Sequence, residues 1–289
     1  MSTTVAIVGA GRLGRVLGRS LHRADWKIAA VVTRSEASAR SAVRAIGAGY
    51  ALAGVSTRAL QANVILITTP DDAIHEVAAK LARLAGDEWR GKVVLHTSGA
   101  LDSSALAPLA RRGAFTGSLH PLQTFGERAS PPLDSVVFTV QGDPHAQRIA
   151  RRIARAVSGI PVTLRGDVKA AYHAAGTFAS PFLLVIVECA MRILIDTGFS
   201  RRRAKLALQP LIRQTLANFD RFGAKNSWTG PVSRGDFSTI ARHTAALAGK
   251  PKEVRQAYAT LARLSARLLA AHPEETLRHL DRVLSKPPK

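Results

Sequence analysis

The sequence predicts an α/β domain followed by an all-α domain, and three observations support this fold class. The 289 residues are enough for about two domains, and a composition of 46% hydrophobic and 21% charged residues is typical of a globular chain with a core. In the first half, short apolar runs of strand length alternate with helical periodicity, which is the pattern of βαβ units. After Arg165 the helical periodicity continues without a convincing strand, so we predict domains over residues 1–165 and 166–289.

The elements of the first domain follow from short apolar runs separated by amphipathic stretches. The predicted strands cover residues 4–8, 27–32, 63–68, 92–96, 115–119, 136–140 and 161–164. The predicted helices cover residues 13–24, 37–46, 73–84 and 103–112. Strands alternating with helices in this way favour a parallel sheet covered on both faces.

The most apolar run of the second domain, residues 182–195, is predicted to be a buried helix of a soluble protein. It contains Glu188 and Arg192, and it is shorter than the roughly 20 apolar residues that a membrane span needs. Pro181 should kink or end a helical segment at the start of the run. The sequence therefore favours no membrane association.

A glycine-rich turn follows the first predicted strand and opens the first predicted helix. Its sequence is Gly9-Ala10-Gly11-Arg12-Leu13-Gly14, a GxGxxG motif. The first glycine allows a tight turn, the second lets the backbone approach a pyrophosphate, and the third allows close packing of helix on strand. The strand–turn–helix context predicts a Rossmann-type dinucleotide site, with phosphates at the helix N-terminus. The alternative is a purely structural glycine turn.

The residues after the second strand favour NADP over NAD. A carboxylate there would bind the ribose 2′-hydroxyl, but the sequence reads Thr33-Arg34-Ser35, with no acid before Glu36. Arg34 can pair with a 2′-phosphate while the two hydroxyls donate hydrogen bonds to it. The alternative is a solvated arginine in a surface loop.

The residues after strand 63–68 are expected to border the nicotinamide ribose. The carboxyl ends of parallel strands face the ligand crevice, and Thr69 and Pro70 come at this point. Asp71 or Asp72 could instead mark a helix N-cap, and both interpretations can hold together.

Several stretches together resemble a known bacterial family. They are residues 96–100 (HTSGA), 117–125 (GSLHPLQTF), 169–177 (KAAYHAAGT), 229–231 (TGP) and 234–236 (RGD). The chain resembles proteins that join a Rossmann-like domain to a C-terminal domain of unknown function, in the 6-phosphogluconate dehydrogenase-like superfamily. Its relatives include β-hydroxyacid dehydrogenases, ketopantoate reductases, pyrroline-5-carboxylate reductases and deazaflavin-dependent NADP oxidoreductases.

The resemblance implies roles for residues near the second domain. In the dehydrogenase relatives a Ser-Gly loop binds a substrate carboxylate, which would be Ser98-Gly99 here. A catalytic lysine with an asparagine four residues later corresponds to Lys169, but the partner position is His173. The asparagine of the relatives is thus replaced by a histidine in this chain. The resemblance also implies a homodimer formed through the helical domain.

The residues themselves support a functional role for Lys169, independently of the resemblance. With Asp167 as N-cap, Lys169 would lie in the first turn of a helix, where the macrodipole disfavours a cation. At helical spacing it shares one polar stripe with His173, Gly176, Thr177 and Ser180. The stripe faces either a polar cleft or solvent, and the sequence leaves both open.

Two further residues are candidates for the same cleft. His120 comes at the end of a predicted strand, before a proline, and could reach the reacting groups or be satisfied in a structural turn. Arg234, in a Gly-Pro-containing loop before a helix, could bind a substrate carboxylate or be an ordinary surface arginine.

The net charge of +21 raises the question of nucleic-acid binding, but its distribution does not favour it. Of the 41 basic residues 31 are arginines, scattered through both domains, and aromatic residues make up 5%. A single-strand platform needs clustered aromatics, so the charge is better explained as a surface bias that attracts anionic ligands. One cysteine and nine dispersed histidines predict neither a disulfide framework nor a metal site, and the compartment expected is the cytoplasm.

The function predicted is hydride transfer between NADPH and a small keto acid, with a ketopantoate-like substrate conceivable, or an imine. Lys169, His173 and His120 would be the catalytic residues, and Ser98, Gly99, Thr177 and Arg234 would bind substrate. The alternative is a non-catalytic NADP-binding or redox-sensing dimer.

Overall fold

A computed structural model describes residues 3–84, 89–126 and 131–285 of the chain. Its described residues contain one eight-stranded sheet with the order β3-β2-β1-β4-β5-β6-β7-β8. The strands are β1 Thr4–Val8, β2 Lys27–Thr33, β3 Tyr50–Ala53, β4 Val64–Ile67, β5 Val93–His96, β6 Phe115–Pro121, β7 Val137–Gly142 and β8 Ile160–Thr163. Neighbouring strands run parallel except β6 and β7, which are antiparallel.

Helices connect the strands and bury both faces of the sheet. They are α1 Arg12–Arg23, α2 Glu36–Ile46, α3 Asp71–Arg83, α4 Ala107–Ala110 and α5 Pro144–Ala156. Two separate clusters of buried apolar side chains form the core. The Rossmann-like α/β class predicted from the alternating pattern is confirmed.

The sequence prediction differs from the structure at the edge strand β3 and at residues 103–112. The edge strand β3 was not among the predicted strands; it has only four residues, none of them buried, and two of them are alanines, which are depleted in strands. The helix predicted over residues 103–112 is a 3₁₀ turn, Ser103–Leu106, followed by the single turn of α4.

The segment after β8 is helical but groups with the sheet. A 3₁₀ turn over Gly166–Val168 leads into α6, Lys169–Thr177, and a π-helical turn, Phe178–Phe182, contains Pro181. The chain forms two compact units, Met1–Phe182 and Leu183–Lys289. The strands end close to the predicted boundary at 165, but the units divide after Phe182 because α6 is bonded to the first unit through Lys169.

In the described residues of the second unit, every regular element is a helix. The unit consists of α7 Leu183–Asp196, α8 Arg201–Ser227, α9 Phe237–Ala246, α10 Lys252–Leu269 and α11 Pro273–Leu284. A small core joins α9, α10 and α11 through Ile240, Ala262, Ala266, Leu277 and Leu280. Pro181 interrupts the helical run as predicted, since the α-helical geometry resumes only at Leu183.

The prediction that residues 182–195 are buried is wrong for the single chain. In α7 Met191 is buried, whereas Leu184 is 69% exposed and Val185 58% exposed. Periodicity alone shows that a helix is apolar on all sides; it does not show whether its own chain covers it. An uncovered apolar helix of this kind requires a further surface to pack against.

By length and composition alone, the helical run Gly166–Asp196 is apolar enough to cross a membrane, and little of it is buried. Two structural features limit the part of the run that is a continuous, exposed apolar helix. Lys169, near its start, is buried in the first unit and bonded to Ser98 and Ser118. Beyond the π-helical turn that contains Pro181, the continuous α-helix α7 has 14 residues, about 21 Å at 1.5 Å per residue, which is less than a bilayer core.

Candidate active site

The glycine-rich turn has the geometry that a dinucleotide requires. Gly9 has a φ of +89°, and a Cβ there would lie 2.4 Å from Cγ2 of Thr69. A Cβ on Gly14 would lie 2.4 Å from the Thr68 hydroxyl oxygen, so this glycine allows α1 to pack closely on the sheet. A Cβ on Gly11 would meet nothing closer than 4.0 Å. The fold therefore does not require a glycine at position 11. A pyrophosphate that approaches the protein backbone at this point would require one.

The first turn of α1 provides the anion-binding end of a helix. Gly11 is its N-cap and supplies no side-chain acceptor, and no acidic residue lies in the first turn. Of the two intervening residues, Leu13 packs against the core and the Arg12 guanidinium lies 3.5 Å from the carbonyl oxygen of Phe125. These features fit a dinucleotide pyrophosphate held by backbone N–H groups.

The end of β2 carries exposed polar side chains. The Thr33 hydroxyl donates to the carbonyl of Ser35 at 2.8 Å, and the Ser35 hydroxyl caps α2 by accepting the N–H of Ser38. Arg34 is exposed. Glu36, the first acid of the segment, pairs with Arg40 at 2.6 Å, so its charge is partly compensated.

The turn after β4 lies directly against the glycine turn. Thr69 packs over Gly9, and Pro70 is the N-cap of α3. The interpretation of Asp71 or Asp72 as N-cap is wrong, because both lie inside the first helical turn. Carboxylates there still favour the helix through its macrodipole.

Ser98 is the centre of a buried hydrogen-bond network after β5. Its hydroxyl donates to Oδ2 of Asp71 at 2.6 Å and accepts the N–H groups of Ala100 and Leu101. Its own N–H donates to Nδ1 of His96 at 3.2 Å. Ser98 therefore has no free N–H for the substrate carboxylate that the resemblance implies at this loop, since its N–H and hydroxyl are bonded inside the protein.

His96 is a structural histidine. It is fully buried and accepts the Ser98 N–H at Nδ1, so the proton resides on Nε2, which lies 2.9 Å from the carbonyl oxygen of Asp102. Burial, with the charge of Lys169, lowers the pKa of His96 to about 4. The ring is therefore neutral at pH 7.

Acid should destabilise the fold through His96. Its pKa is about 4 when folded and about 6.5 when unfolded, so the unfolded chain takes up a proton first as the pH falls. The free energy of unfolding should therefore fall by about 3 kcal/mol as the pH is lowered from 6.5 to 4. Urea unfolding of His96→Asn between these pH values should give a flatter dependence than wild type. A variant of the exposed His75, His75→Asn, should retain the wild-type slope; equal slopes for all three proteins would contradict the assignment.

Lys169 is the most unusual residue of the region. It is the first residue of α6 and 1% exposed, and its ammonium donates to the Ser98 carbonyl at 3.0 Å and to the Ser118 hydroxyl at 2.7 Å. Burial lowers its pKa to about 8, partly offset by the carboxylates of Asp102 and Asp71. The predicted first-turn position is confirmed, but its cap is Val168, while Asp167 pairs with Arg165. The amine thus faces the protein interior and not solvent.

Three aromatic rings lie on the other side of the Ser98–Gly99 loop. A Cβ on Gly99 would lie 2.7 Å from the ring of His173 and 2.8 Å from Nε2 of His120, so the absence of a side chain lets both rings approach. The Tyr172 hydroxyl is 2.9 Å from Nδ1 of His120. Burial, followed by the charges of Lys169 and His173, lowers the pKa of His120 to about 4. His173 is exposed.

The remaining predicted residues divide between the two units. The Thr177 hydroxyl donates to the His173 carbonyl one turn earlier in α6. Arg234 is exposed in the turn before α9, in the second unit. The structure thus brings together Lys169, His173, His120, Ser98 and Gly99, whereas a substrate role for Arg234 stays a prediction.

Three members of the cluster were missed from the sequence. Tyr172 lies three residues after Lys169, on the same face of α6, but outside the narrow arc used to define the stripe. Ser118 and Asp71 contact the cluster from β6 and α3. Their pairing joins residues far apart in the chain, for which the sequence carries no local signal. Among the residues that the structure describes, no group of three His, Cys, Asp or Glu side chains could hold a metal ion.

Comparisons with known proteins agree with this architecture. The model of a Rossmann-like domain matches residues 2–121, and that of a domain of unknown function, DUF2520, matches residues 136–265. No curated protein sequence matches the chain at a significant level.

Solved structures with the same fold cover nearly all of the chain. A candidate NADP oxidoreductase from Bacteroides fragilis is 22% identical with a TM-score of 0.74, over 91% of this chain and 97% of that one. A protein from Thermotoga maritima is 26% identical with a TM-score of 0.64, over 97% and 98%. The reductive aminase from Aspergillus terreus, in complex with NADPH and ethyl-5-oxohexanoate, is 18% identical with a TM-score of 0.67, over 92% and 94%.

The two family models follow one another along the chain in the order expected from the motifs. The resemblance seen in the sequence is therefore confirmed: a Rossmann-like domain at residues 2–121 is followed by the domain of unknown function DUF2520 at residues 136–265.

Proposed function

We propose that this protein is an NADP-dependent oxidoreductase that reduces a small carbonyl compound, a keto acid above all, or an imine. The observation that carries the proposal is the Lys169 amine, buried against the Ser98 loop. The Ser98 hydroxyl is bonded to Asp71. Asp71 comes two residues after Thr69, which packs against Gly9 of the glycine turn. A low-pKa lysine next to a dinucleotide site is a candidate functional group, because structural lysines are seldom buried. The solved structures with the same fold, one of which is a reductive aminase in complex with NADPH, support the same class of enzyme, an oxidoreductase.

The glycine turn and the end of β2 would hold the cofactor. The Gly11 N–H donates to the Gly9 carbonyl at 2.7 Å, so the backbone N–H groups of Arg12, Leu13 and Gly14, at the start of α1, would bind the pyrophosphate. Arg34 with Thr33 and Ser35 would bind the 2′-phosphate, and Thr69 and Pro70 would border the nicotinamide ribose. When bound, NADPH would supply a hydride to a carbonyl or imine carbon.

The protein's own residues would stabilise charge and supply a proton. Because the pKa of Lys169 is about 8, its amine is protonated at pH 7 and stabilises negative charge that develops on the substrate oxygen or nitrogen. His120, with a pKa of about 4, is neutral at this pH and serves as a hydrogen-bonding group and not as an acid. His173, exposed on the open side of Gly99, is the group that would contact the substrate and deliver the proton.

The direct test is turnover. The purified protein is mixed with NADPH and a panel of keto acids, a ketopantoate-like compound among them, and cyclic imines, and absorbance at the NADPH band is followed. Reduction of at least one member, lost in Lys169→Ala and His173→Ala, is the expected result. Persistent turnover in both variants would refute the catalytic assignment.

One observation favours the alternative of a non-catalytic NADP-binding module. The amine of Lys169 is 1% exposed and has protein acceptors, so it could simply fasten α6 to the sheet. That alternative predicts NADPH binding without turnover of any compound, and a loss of stability in Lys169→Ala as its main effect.

Arg34 should decide the choice between the two nicotinamide cofactors. Loss of a charged phosphate contact costs about 1.5–3 kcal/mol, so Arg34→Ala should weaken NADPH binding by roughly 10- to 100-fold and leave NADH binding within about twofold. Isothermal titration of both cofactors measures this. Arg44→Ala, which removes another exposed arginine of the same region, should change neither affinity. Tighter binding of NADH than NADPH by wild type would disprove the interpretation of Arg34.

The protein is proposed to act as a homodimer through α7 and α8. Large apolar side chains of these helices and their connection are exposed: Leu183, Leu184, Val185, Ile186, Phe199, Leu206, Leu211, Leu216, Phe219 and Phe222. These ten side chains are each 38–69% exposed, and a standard interface buries about 800 Å² per partner. α8 spans 27 residues, with a break in its helical geometry at Gly223, and Ala204 is its one buried residue. A second copy with the same uncovered helices is the complementary partner. A cytoplasmic location remains part of this proposal.

A charge on α8 should separate the two copies. Leu211→Glu places a carboxylate on a side chain that is 63% exposed in the single chain and would be buried in the dimer. Light scattering after gel filtration should show a dimer for wild type and a monomer for this variant. Leu268→Glu, at a leucine on α10 that is 60% exposed, should remain dimeric. A wild-type monomer of 30.8 kDa would contradict the proposal.

A further inference from the structure

Ser98 holds Lys169 with an atom that is itself held in place. The Ser98 carbonyl oxygen accepts the Lys169 ammonium at 3.0 Å. The orientation of that carbonyl is fixed by the Ser98 N–H, which donates to His96, and by the Ser98 hydroxyl, which accepts two backbone N–H groups. Since Ser98 is 3% exposed, water does not compete for these bonds.

The hydroxyl proton of Ser98 is assigned to Asp71. The Oγ–Oδ2 distance is 2.6 Å, which is typical of a charge-assisted hydrogen bond. Asp71 and Asp72 both begin α3, and the helix macrodipole accounts equally for either carboxylate. The bond to Ser98 distinguishes Asp71, because helix capping does not require it.

We infer that Asp71 and Ser98 are positioning residues, which orient the Lys169 amine from the first turn of α3. The contacts form one continuous path: Asp71 carboxylate, Ser98 hydroxyl, Ser98 carbonyl, Lys169 ammonium. The inference rests on the proposed function for its catalytic consequence, but the path itself can be tested in the protein alone.

Other charged and titratable groups also face the amine. Asp102, in the loop after β5, and Asp71 raise the pKa of Lys169, while burial lowers it. His96 on β5 and His120 on β6 lie close enough for the charge of Lys169 to lower their own pKa values, and His173 lies in the same helix. Asp71→Asn removes one negative charge and can keep the Ser98 hydrogen bond through the amide oxygen.

The experiment is an NMR titration of the protein without substrate. Lysine labelled at Cε with ¹³C gives signals from ten lysines, and the Lys169 signal is assigned by its loss in Lys169→Met. In Asp71→Asn the pKa of Lys169 should fall by about 0.5–1 unit, because an opposite charge is lost. In Asp72→Asn, the matched control, it should stay within 0.2 unit of wild type, a threshold of roughly measurement error.

Ser98→Ala tests orientation separately from charge. It keeps the Asp71 carboxylate but frees the loop, so water should reach the amine and the pKa of Lys169 should rise toward its ordinary value. Opposite shifts in Asp71→Asn and Ser98→Ala support the path. Identical titrations for Asp71→Asn and Asp72→Asn would overturn it.

The kinetic arm depends on the proposed function, and the NMR arm does not. If a substrate is reduced, the pH at which kcat declines should move with the Lys169 titration in Asp71→Asn, while KM for NADPH stays within about twofold. If the pKa of Lys169 shifts in Asp71→Asn but the pH dependence of kcat does not, the catalytic role of the path is overturned. If no substrate is reduced, the proposed function fails and the NMR shifts alone decide whether Asp71 and Ser98 position the amine.

Discussion

Replacing Lys169 with methionine should lower kcat/KM for the reduced substrate by at least about 100-fold, the usual contribution of a positioned acid or charge. Methionine keeps most of the volume of the buried side chain, but it donates no hydrogen bond to Ser98 or Ser118 and carries no charge. The Kd for NADPH should remain within about twofold, because Lys169 belongs to α6 and the cofactor is assigned to the glycine turn. Stopped-flow NADPH oxidation and fluorescence titration measure the two quantities separately.

The pH dependence distinguishes a proton-linked role from simple packing. With a Lys169 pKa of about 8, the protonated form is lost as the pH rises through 8, so the reduction rate should decline above that pH. Lys169→Arg stays charged throughout the pH range of the assay, because a guanidinium loses its proton only in strong base, and the activity that it retains should not show this decline. Lys27→Met, at an exposed lysine on the opposite end of the sheet, should behave as wild type. A Lys169→Met enzyme with undiminished turnover would leave only the fastening role.

The sequence identified the parts of the site that depend on local patterns. The glycine turn was predictable because tight turns, close packing and helix starts each require particular residues at fixed spacing. Lys169 was predictable because a cation in the first turn of a helix opposes the macrodipole. The carboxyl-end positions of Thr69, Ser98 and His120 followed from the parallel order of the strands.

What the sequence could not provide was the pairing between distant segments. Ser98 was interpreted as a substrate ligand from the resemblance, yet its hydroxyl is bonded to Asp71, 27 positions earlier, and its carbonyl to Lys169, 71 positions later. Tyr172 escaped because a strict helical arc excludes a residue three positions along, although its side chain still reaches the same cluster. The burial of α7 was predicted wrongly for a related reason. An apolar sequence indicates that a helix packs against another surface, but it does not indicate whether that surface belongs to the same chain.

The glycine turn gives the second large expected effect, through two substitutions that separate folding from cofactor binding. Gly9→Ala should destabilise the fold by about 3 kcal/mol, because φ is +89° and left-handed strain adds to a collision. The added Cβ would lie 2.8 Å from the backbone nitrogen of Thr69, an atom that cannot move without disturbing β4 and α3. Its NADPH binding should weaken together with its melting temperature, because the same substitution distorts the turn.

Gly11→Ala should leave the melting temperature nearly unchanged, since its Cβ meets no protein atom closer than 4.0 Å and its φ is −74°. The same methyl group would occupy the surface that the pyrophosphate must approach, so the Kd for NADPH should rise by at least about tenfold, as for about 1.4 kcal/mol of lost contact. Differential scanning fluorimetry with and without NADPH measures both effects in one experiment. A bound ligand raises the melting temperature, and a ligand that binds more weakly raises it less. If Gly11→Ala were stabilised by NADPH as strongly as wild type, the turn would be a structural glycine turn, and the cofactor assignment on which the reductase rests would be wrong.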